Sequence, residues 1–303
     1  MARIVSDILI GVGVALTLAA CAETAPPHKV ASPPIDPAAA RRGDYLVTAA
    51  NCAGCHTDKD HGGAPFAGGK AIATPFGAYV SRNITPDPVD GIGAWSESDF
   101  LRALRRGISP AGAHYFPAFP YTSFTGMSDR DILDIRAYLM SQAPAAVPNR
   151  PHEVPFPFDV RLTMVVWRGL YFSEGPRQPD PARSAQWNRG AYLVDAVAHC
   201  GECHTPRTWL GGLDGARPFN GGRLAGPGRD LAPNITSDPT DGIGSWSVGD
   251  IETLLKTGLT PKGDFVEAPM SEVVDNMAKL SDADRAAIAT YVKSLPPLRG
   301  KGG

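Results

Sequence analysis

This chain contains itself twice, and that duplication constrains its fold more than any other feature. The stretch "RRGDYLVTAANCAGCHT" from Arg41 returns as "NRGAYLVDAVAHCGECHT" from Asn188, with one residue inserted before the second cysteine pair. Downstream, "RNITPDPVDGIGAWSESDF" from Arg82 returns as "PNITSDPTDGIGSWSVGDI" from Pro233, so that Asn83 and Asn234, like Trp95 and Trp246, stand 151 residues apart. The cysteine pairs are 148 apart, which leaves only small loop differences between the copies. A spacing this long is duplication of a whole unit rather than a short-period solenoid. With 303 residues, each copy has enough chain to bury a core of its own.

Local signals give the same helix order in both copies. A first helix spans roughly 38–50 and its counterpart roughly 185–197, each feeding its last turn into a cysteine pair. Ser96-x-x-Asp99 and Ser247-x-x-Asp250 are capping boxes for a middle helix, with Gly107 and Gly258 as stops. Ser128-x-x-Asp131 and Ser281-x-x-Asp284 open a last helix with apolar faces at Ile132, Ile135 and Leu139, and at Ile288, Tyr291, Val292 and Leu295. The 33 glycines and 29 prolines imply long, turn-rich connections. The expected class is all-α, two tandem domains of three to five helices each.

The N-terminus sets the chemistry open to the cysteines. Arg3 precedes an apolar run from Ile8 to Ala20 that ends in Leu18-Ala19-Ala20-Cys21, resembling a bacterial lipoprotein signal peptide. At ~1.5 Å per residue the run covers about 20 Å, short of the ~30 Å of a bilayer core. Residues 1–20 are therefore expected to be a removed signal, with Cys21 the lipid-bearing first residue; an ordinary secretory signal is the alternative. Residues 21–37 form a tether, 38–143 and 185–298 the two domains, 144–184 an interdomain segment and 299–303 a tail.

Cys21 accounts for the odd cysteine of five, leaving Cys52/Cys55 and Cys200/Cys203. Two disulfides or a four-cysteine zinc site are the bland alternatives. The adjacent His56 and His204 argue against both, because C-x-x-C-H is the attachment sequence of c-type haem. Its two thiols take the vinyl groups as thioethers, and the next imidazole becomes the proximal iron ligand. Two covalently bound haems c are expected.

With these residues in view, the chain resembles the bacterial dihaem cytochrome c family related to cytochrome c subunits of membrane-associated alcohol, aldehyde and sugar-acid dehydrogenases. The resemblance rests on the two C-x-x-C-H motifs, the paired Asn-Ile-Thr...Asp-Gly-Ile-Gly-x-Trp-Ser blocks, Phe116-Pro117-Ala118-Phe119-Pro120-Tyr121 and "PFPFDVR" from Pro155. It implies a sixth iron ligand, usually methionine, whose thioether favours Fe(II). In the second copy Met270, in "APMSEVV", occupies the loop position before the last helix where cytochrome c domains place that ligand, and Met277 is the less favoured candidate. In the first, many relatives have Ala-Met-Pro-Tyr where this chain has Ala118-Phe119-Pro120-Tyr121, and phenylalanine cannot ligate iron. Met127 is the nearest substitute, with His114 as rival and an N-terminal hydrophobic staple as Met127's structural alternative. Met140 is read as core. Trp95 and Trp246, with Asn83 and Asn234 beside them, are candidate donors to the haem propionates, with core packing an equal alternative.

The resemblance implies electron transfer from a dehydrogenase subunit to an oxidase or soluble cytochrome, at the periplasmic face of a bacterial membrane. The competing class is a dihaem redox enzyme, a peroxidase or sulfur-compound dehydrogenase, with chemistry at the first haem. A formal charge of −2 with scattered Lys and Arg gives no reason to expect nucleic acid. The aromatic segment between the copies, with Trp167, is expected to pack across both domains and fix the interhaem distance; a docking or membrane-lying surface is the alternative.

Overall fold

In the computed structural model, which describes residues 35–224 and 231–300, the repeat in the sequence becomes a repeat of helices. The first half runs α1 (Pro37–Ala49), α2 (Cys52–His56), β1 (Ala71–Thr74), β2 (Gly77–Val80), α3 (Glu97–Arg106), α4 (Tyr121–Phe124) and α5 (Asp129–Met140). A connecting helix α6 covers Thr163–Tyr171. The second half runs α7 (Ala185–Tyr192), α8 (Gly201–His204), β3 (Gly222–Arg223), β4 (Leu231–Ala232), α9 (Val248–Thr257), α10 (Met270–Met277) and α11 (Asp282–Lys293). β1 pairs antiparallel with β2, and β3 with β4. These two hairpins correct the purely all-α expectation: strands of two to four residues are too short to show a periodicity in sequence. Residues 1–34, and with them the expected signal, Cys21 and most of the expected tether, lie outside the described residues.

Capping fixes the helix ends where the sequence places them. Ser96 and Ser247 each accept from the backbone of the third helical residue, and Asp99 and Asp250 reciprocate. Gly107 and Gly258 take left-handed φ values of 60° and 77° at the C-caps, which cost glycine nothing. Ser128 and Ser281 cap α5 and α11 through the amides of Asp131 and Asp284.

In each half the first helix crosses the last at a glycine. A Cβ on Gly43 would stand 1.9 Å from the Asp134 carbonyl oxygen, and one on Gly190 2.0 Å from that of Ala287. Beside each glycine an arginine forks onto a carboxylate of the crossed helix. Arg42 reaches Asp134 at 2.6 and 2.7 Å, and Arg189 reaches Asp284 at 2.8 Å through both nitrogens. The extra residue before the second cysteine pair is absorbed as a π-helical turn, Leu193–Val197, in which the Ala198 amide bonds to the Leu193 carbonyl at 2.7 Å. The helix thus delivers its cysteines in the same setting despite the insertion.

From residue 35 onward the two halves form one compact unit with a continuous core that takes Leu46, Phe100 and Ile132 from one half and Val197, Ile251 and Ile288 from the other. Each half clasps the other through a tyrosine. Tyr45 on α1 donates to Asp284 at 2.6 Å and accepts from the Ser281 amide at 3.1 Å. Tyr192 on α7 donates to Asp131 and accepts from the Ser128 amide at 3.1 Å. Residue i meets j as j's counterpart meets i's, the signature of a two-fold arrangement.

The connecting segment touches both halves. Trp167 is buried and donates to the Leu210 carbonyl at 3.0 Å, the Arg177 amide donates to the Gly126 carbonyl, and the Arg177 guanidinium pairs with Asp195 at 2.6 Å. Leu162, at the N-cap of α6, and Val165, Val166 and Leu170 on the helix are exposed. Among the described residues no helix is long and apolar enough to cross a membrane.

Candidate haem-attachment sites

The two motifs sit on equivalent short helices, α2 (Cys52–His56) and α8 (Gly201–His204, with Cys200 as its N-cap), and left-handed residues Asn51 (φ 50°) and His199 (φ 42°) precede the first cysteine of each. Cys52, Cys55, Cys200 and Cys203 are all free thiols, so neither pair closes on itself. Burial pushes the Cys52 and Cys200 thiols up to about 12. Among the described residues no three His, Cys, Asp or Glu side chains converge into a metal cage, as the zinc reading would require.

Each histidine is held by its Nδ1. His56 Nδ1 lies 2.6 Å from the Arg82 carbonyl and His204 Nδ1 lies 2.8 Å from the Pro233 carbonyl. A carbonyl only accepts, so in each ring Nδ1 carries the hydrogen and Nε2 keeps its lone pair. Burial lowers both imidazole pKa values, against the raising effect of the carbonyl bond, and keeps the rings neutral as a metal ligand must be. Free thiol pairs, with an imidazole whose Nε2 is uncommitted on the next residue, are the donor set of covalent haem c. The residues present fit that group at both sites.

A second repeat, also legible in the sequence, builds the turn after each histidine. "PFAGGK" from Pro65 and "PFNGGR" from Pro218 place Phe66 and Phe219 at φ 61° and 59°. Their amides bond to Thr57 and Thr205 hydroxyls at 3.1 and 3.0 Å, and the amides of Gly68 and Gly221 bond to the His56 and His204 carbonyls at 2.8 Å. A Cβ on Gly68 would lie 2.5 Å from the Arg82 carbonyl carbon, so this glycine permits the close approach that brings the Arg82 carbonyl to His56.

The asparagine blocks are tied into the chain. Asn83 Nδ2 donates to Ala145 and Val147 carbonyls at 2.8 and 3.2 Å, while its Oδ1 accepts from the Thr85 amide and hydroxyl at 2.9 and 2.7 Å. Asn234 repeats this with Leu298, Gly300 and Thr236. Both amide groups are engaged by the chain, so these residues tie the loop to the strand of chain leaving the last helix. Gly91 and Gly242 let the loop turn against itself, since a Cβ at either would meet a threonine carbonyl oxygen at 2.2 or 2.3 Å. Trp95 and Trp246 are half-buried at matching places beside these loops and pack against the core.

Among the candidate sixth ligands, Met127 is fully buried within the core cluster, whereas Met270 is half-buried as the first residue of α10 and Met277 is core. Phe119 packs edge-on to Tyr115, with ring centres 5.5 Å apart. His114 is half-buried with its Nδ1 lacking a partner, and burial followed by the Arg168 charge lowers its pKa. His199, which no sequence motif singles out, links the two sites: its Nε2 lies 3.3 Å from the Ala50 carbonyl and its ring packs on Phe124 at 5.5 Å. Asn276 answers from the other side, donating to Asn51 Oδ1 at 2.8 Å.

A family model described as cytochrome c matches residues 40–143. The chain is 40% identical over 267 residues to a protein named diheme cytochrome c-type from Cereibacter sphaeroides, covering 86% of both chains. It is 43% identical over 260 residues to the fructose dehydrogenase cytochrome subunit of Gluconobacter japonicus, 84% of this chain and 52% of that one. It is also 43% identical over 254 residues to one of the subunits of a nicotinate dehydrogenase from Pseudomonas putida, 84% of this chain and 21% of that one. The chain thus covers about half or less of these two dehydrogenase subunits, and most of the diheme cytochrome. With the paired attachment geometry and this similarity over most of its length, the chain belongs to the cytochrome c family that contains a diheme cytochrome c and the cytochrome c subunits of bacterial dehydrogenases.

Proposed function

We propose that the protein is a dihaem c-type cytochrome, built of two tandem cytochrome c domains, that carries electrons from a dehydrogenase to a respiratory acceptor. The observation that carries this reading is the duplicated donor set: four free thiols and two neutral imidazoles, each oriented by one backbone carbonyl. Cys52, Cys55 and His56 would hold one haem and Cys200, Cys203 and His204 the other, with Met127 and Met270 as the sixth ligands. When bound, the haem supplies one-electron chemistry between Fe(III) and Fe(II). The chain's part is to fix each imidazole through its second nitrogen, to bury the surroundings, and to hold the two attachment segments against each other through His199 and Ala50.

The donor is proposed to be a dehydrogenase subunit, as the names of the relatives suggest, and the acceptor an oxidase or soluble cytochrome. Export and attachment to the periplasmic membrane face through lipidated Cys21 complete the proposal. Mass analysis of the holoprotein tests it: two haem masses are expected, falling to one when either Cys52/Cys55 or Cys200/Cys203 is replaced by alanine. A single haem in the wild type would overturn the dihaem reading, and a substrate-exchangeable iron would favour catalysis.

A further inference from the structure

We infer that Arg82 and Arg161 are the cationic partners of the propionates of the haem attached at His56, and that Pro233, at the matching place in the second half, supplies no counterpart of Arg82 to the haem at His204. The inference rests on the dihaem reading and adds an asymmetry to it. Arg82 is the residue whose carbonyl holds the His56 ring, and in the second half that place belongs to Pro233, which holds His204 the same way but carries no charge. The repeat therefore keeps the backbone contact and changes the side chain.

Among the described residues the two guanidiniums have no anionic partner. Arg82 donates to the Arg150 carbonyl at 3.1 Å; Arg161 donates to the His114 carbonyl at 2.6 Å and lies 4.7 Å from the centre of the Phe116 ring. Among the described residues neither forms an ion pair, whereas Arg42, Arg189, Arg207 and Arg217 each have a carboxylate within 3 Å. Arg82 and Arg161 are both half-buried. Burial together with the same two arginines depresses neighbouring His152 to about 4. Buried Tyr79 and Phe116, with half-buried Tyr115, complete an aromatic surround for the two positive charges. Two partly desolvated like charges are costly unless an anion sits between or beside them. A guanidinium fork matches a carboxylate in shape and charge, and the propionates are the carboxylates that a haem fixed at His56 brings with it.

Compensating those carboxylates makes the electron-accepting iron less negatively surrounded, which favours Fe(II) at that haem. The test uses the purified dihaem protein with Arg82→Gln, Arg161→Gln, the double variant and Arg82→Lys, reading haem content by mass and the potential of each haem by spectroelectrochemistry. The expected result is two retained haems, with the double Gln variant shifting the ferric-to-ferrous balance of one haem at least tenfold toward ferric. That is about 59 mV for one electron. Lysine restores most of the shift and the other haem is unchanged. Unaltered potentials in a double variant that keeps both haems would overturn the inference. If that variant does not mature, a crystal structure of the wild-type holoprotein decides: guanidinium nitrogens within hydrogen-bond distance of propionate oxygens support it, and propionates directed elsewhere contradict it. A wild-type haem count below two is a separate result that fails the underlying reading.

Discussion

Tyr45 lies 2.6 Å from Asp284 across the boundary between the halves, and its hydroxyl also receives the Ser281 amide that opens the last helix of the other half. Tyr192 and Asp131 repeat the clasp in reverse. Each tyrosine completes the N-terminus of a helix that belongs to the other copy. Tyr45→Phe and Tyr192→Phe are each expected to lower stability by ~1 kcal/mol, the ordinary net value of a buried hydrogen bond. Urea denaturation of the holoprotein measures this, and variants as stable as wild type would show that the clasp contributes nothing.

The same carboxylate sets an acid limit. Burial tends to raise the Asp284 pKa, but hydrogen bonds from Arg189 and Tyr45 and the Arg189 charge outweigh it and hold the group below its ordinary 3.8. A folded-state pKa below the unfolded one gives stability that is complete above the unfolded value and is lost as pH falls through the folded value. Stability should therefore decline below about pH 4 through this group, and Tyr45→Phe should narrow the difference between neutral and acid stability. A pH series of urea midpoints reads it, and identical slopes for the two proteins would refute the assignment.

Helix crossings at Gly43 and Gly190 leave no room for a methyl group. Alanine at either position must push a carbonyl of the crossed helix away, and overpacking of this kind costs roughly 1–3 kcal/mol or more. Since both crossings are built alike, Gly43→Ala and Gly190→Ala should destabilise to similar extents. Thermal melts check this, and a variant with unchanged melting temperature would mean that the helices tolerate a wider crossing.

Asn83 and Asn234 brace the loop beneath each site. Asn83→Ala strands the Ala145 and Val147 carbonyls and the Thr85 amide, at a cost of about 1–3 kcal/mol for buried groups left without partners. The expected signature is reduced stability with both haem potentials unchanged. A potential shift without loss of stability would return the asparagines to the propionates.

Much of the fold is legible in sequence because it is local. Caps at Ser96, Ser128, Ser247 and Ser281 depend on residues three apart, and the C-x-x-C-H motifs carry thiols and imidazole within five residues. The tyrosine clasps and the His199 contact to Ala50 join residues 61 to 239 apart, and the duplication alone does not say how the copies face each other. Asn83 and Asn234 leave two readings open in sequence, because a polar residue beside a haem motif suits a propionate or a loop brace equally well until its partners are known. The "PFAGGK" and "PFNGGR" pair shows the opposite case, since its repeated glycines are visible and only the left-handed turn they build needs the fold.

Near-infrared and visible spectroscopy of the purified holoprotein, oxidised and reduced, alongside Met127→Ala and Met270→Ala, tests the dihaem electron carrier most directly. Two low-spin His/Met haems are predicted in the wild type, with each variant losing the methionine signature of one haem and keeping that of the other. A first haem that is high-spin or exchanges ligands in the wild type, or that keeps its methionine signature in Met127→Ala, would contradict it.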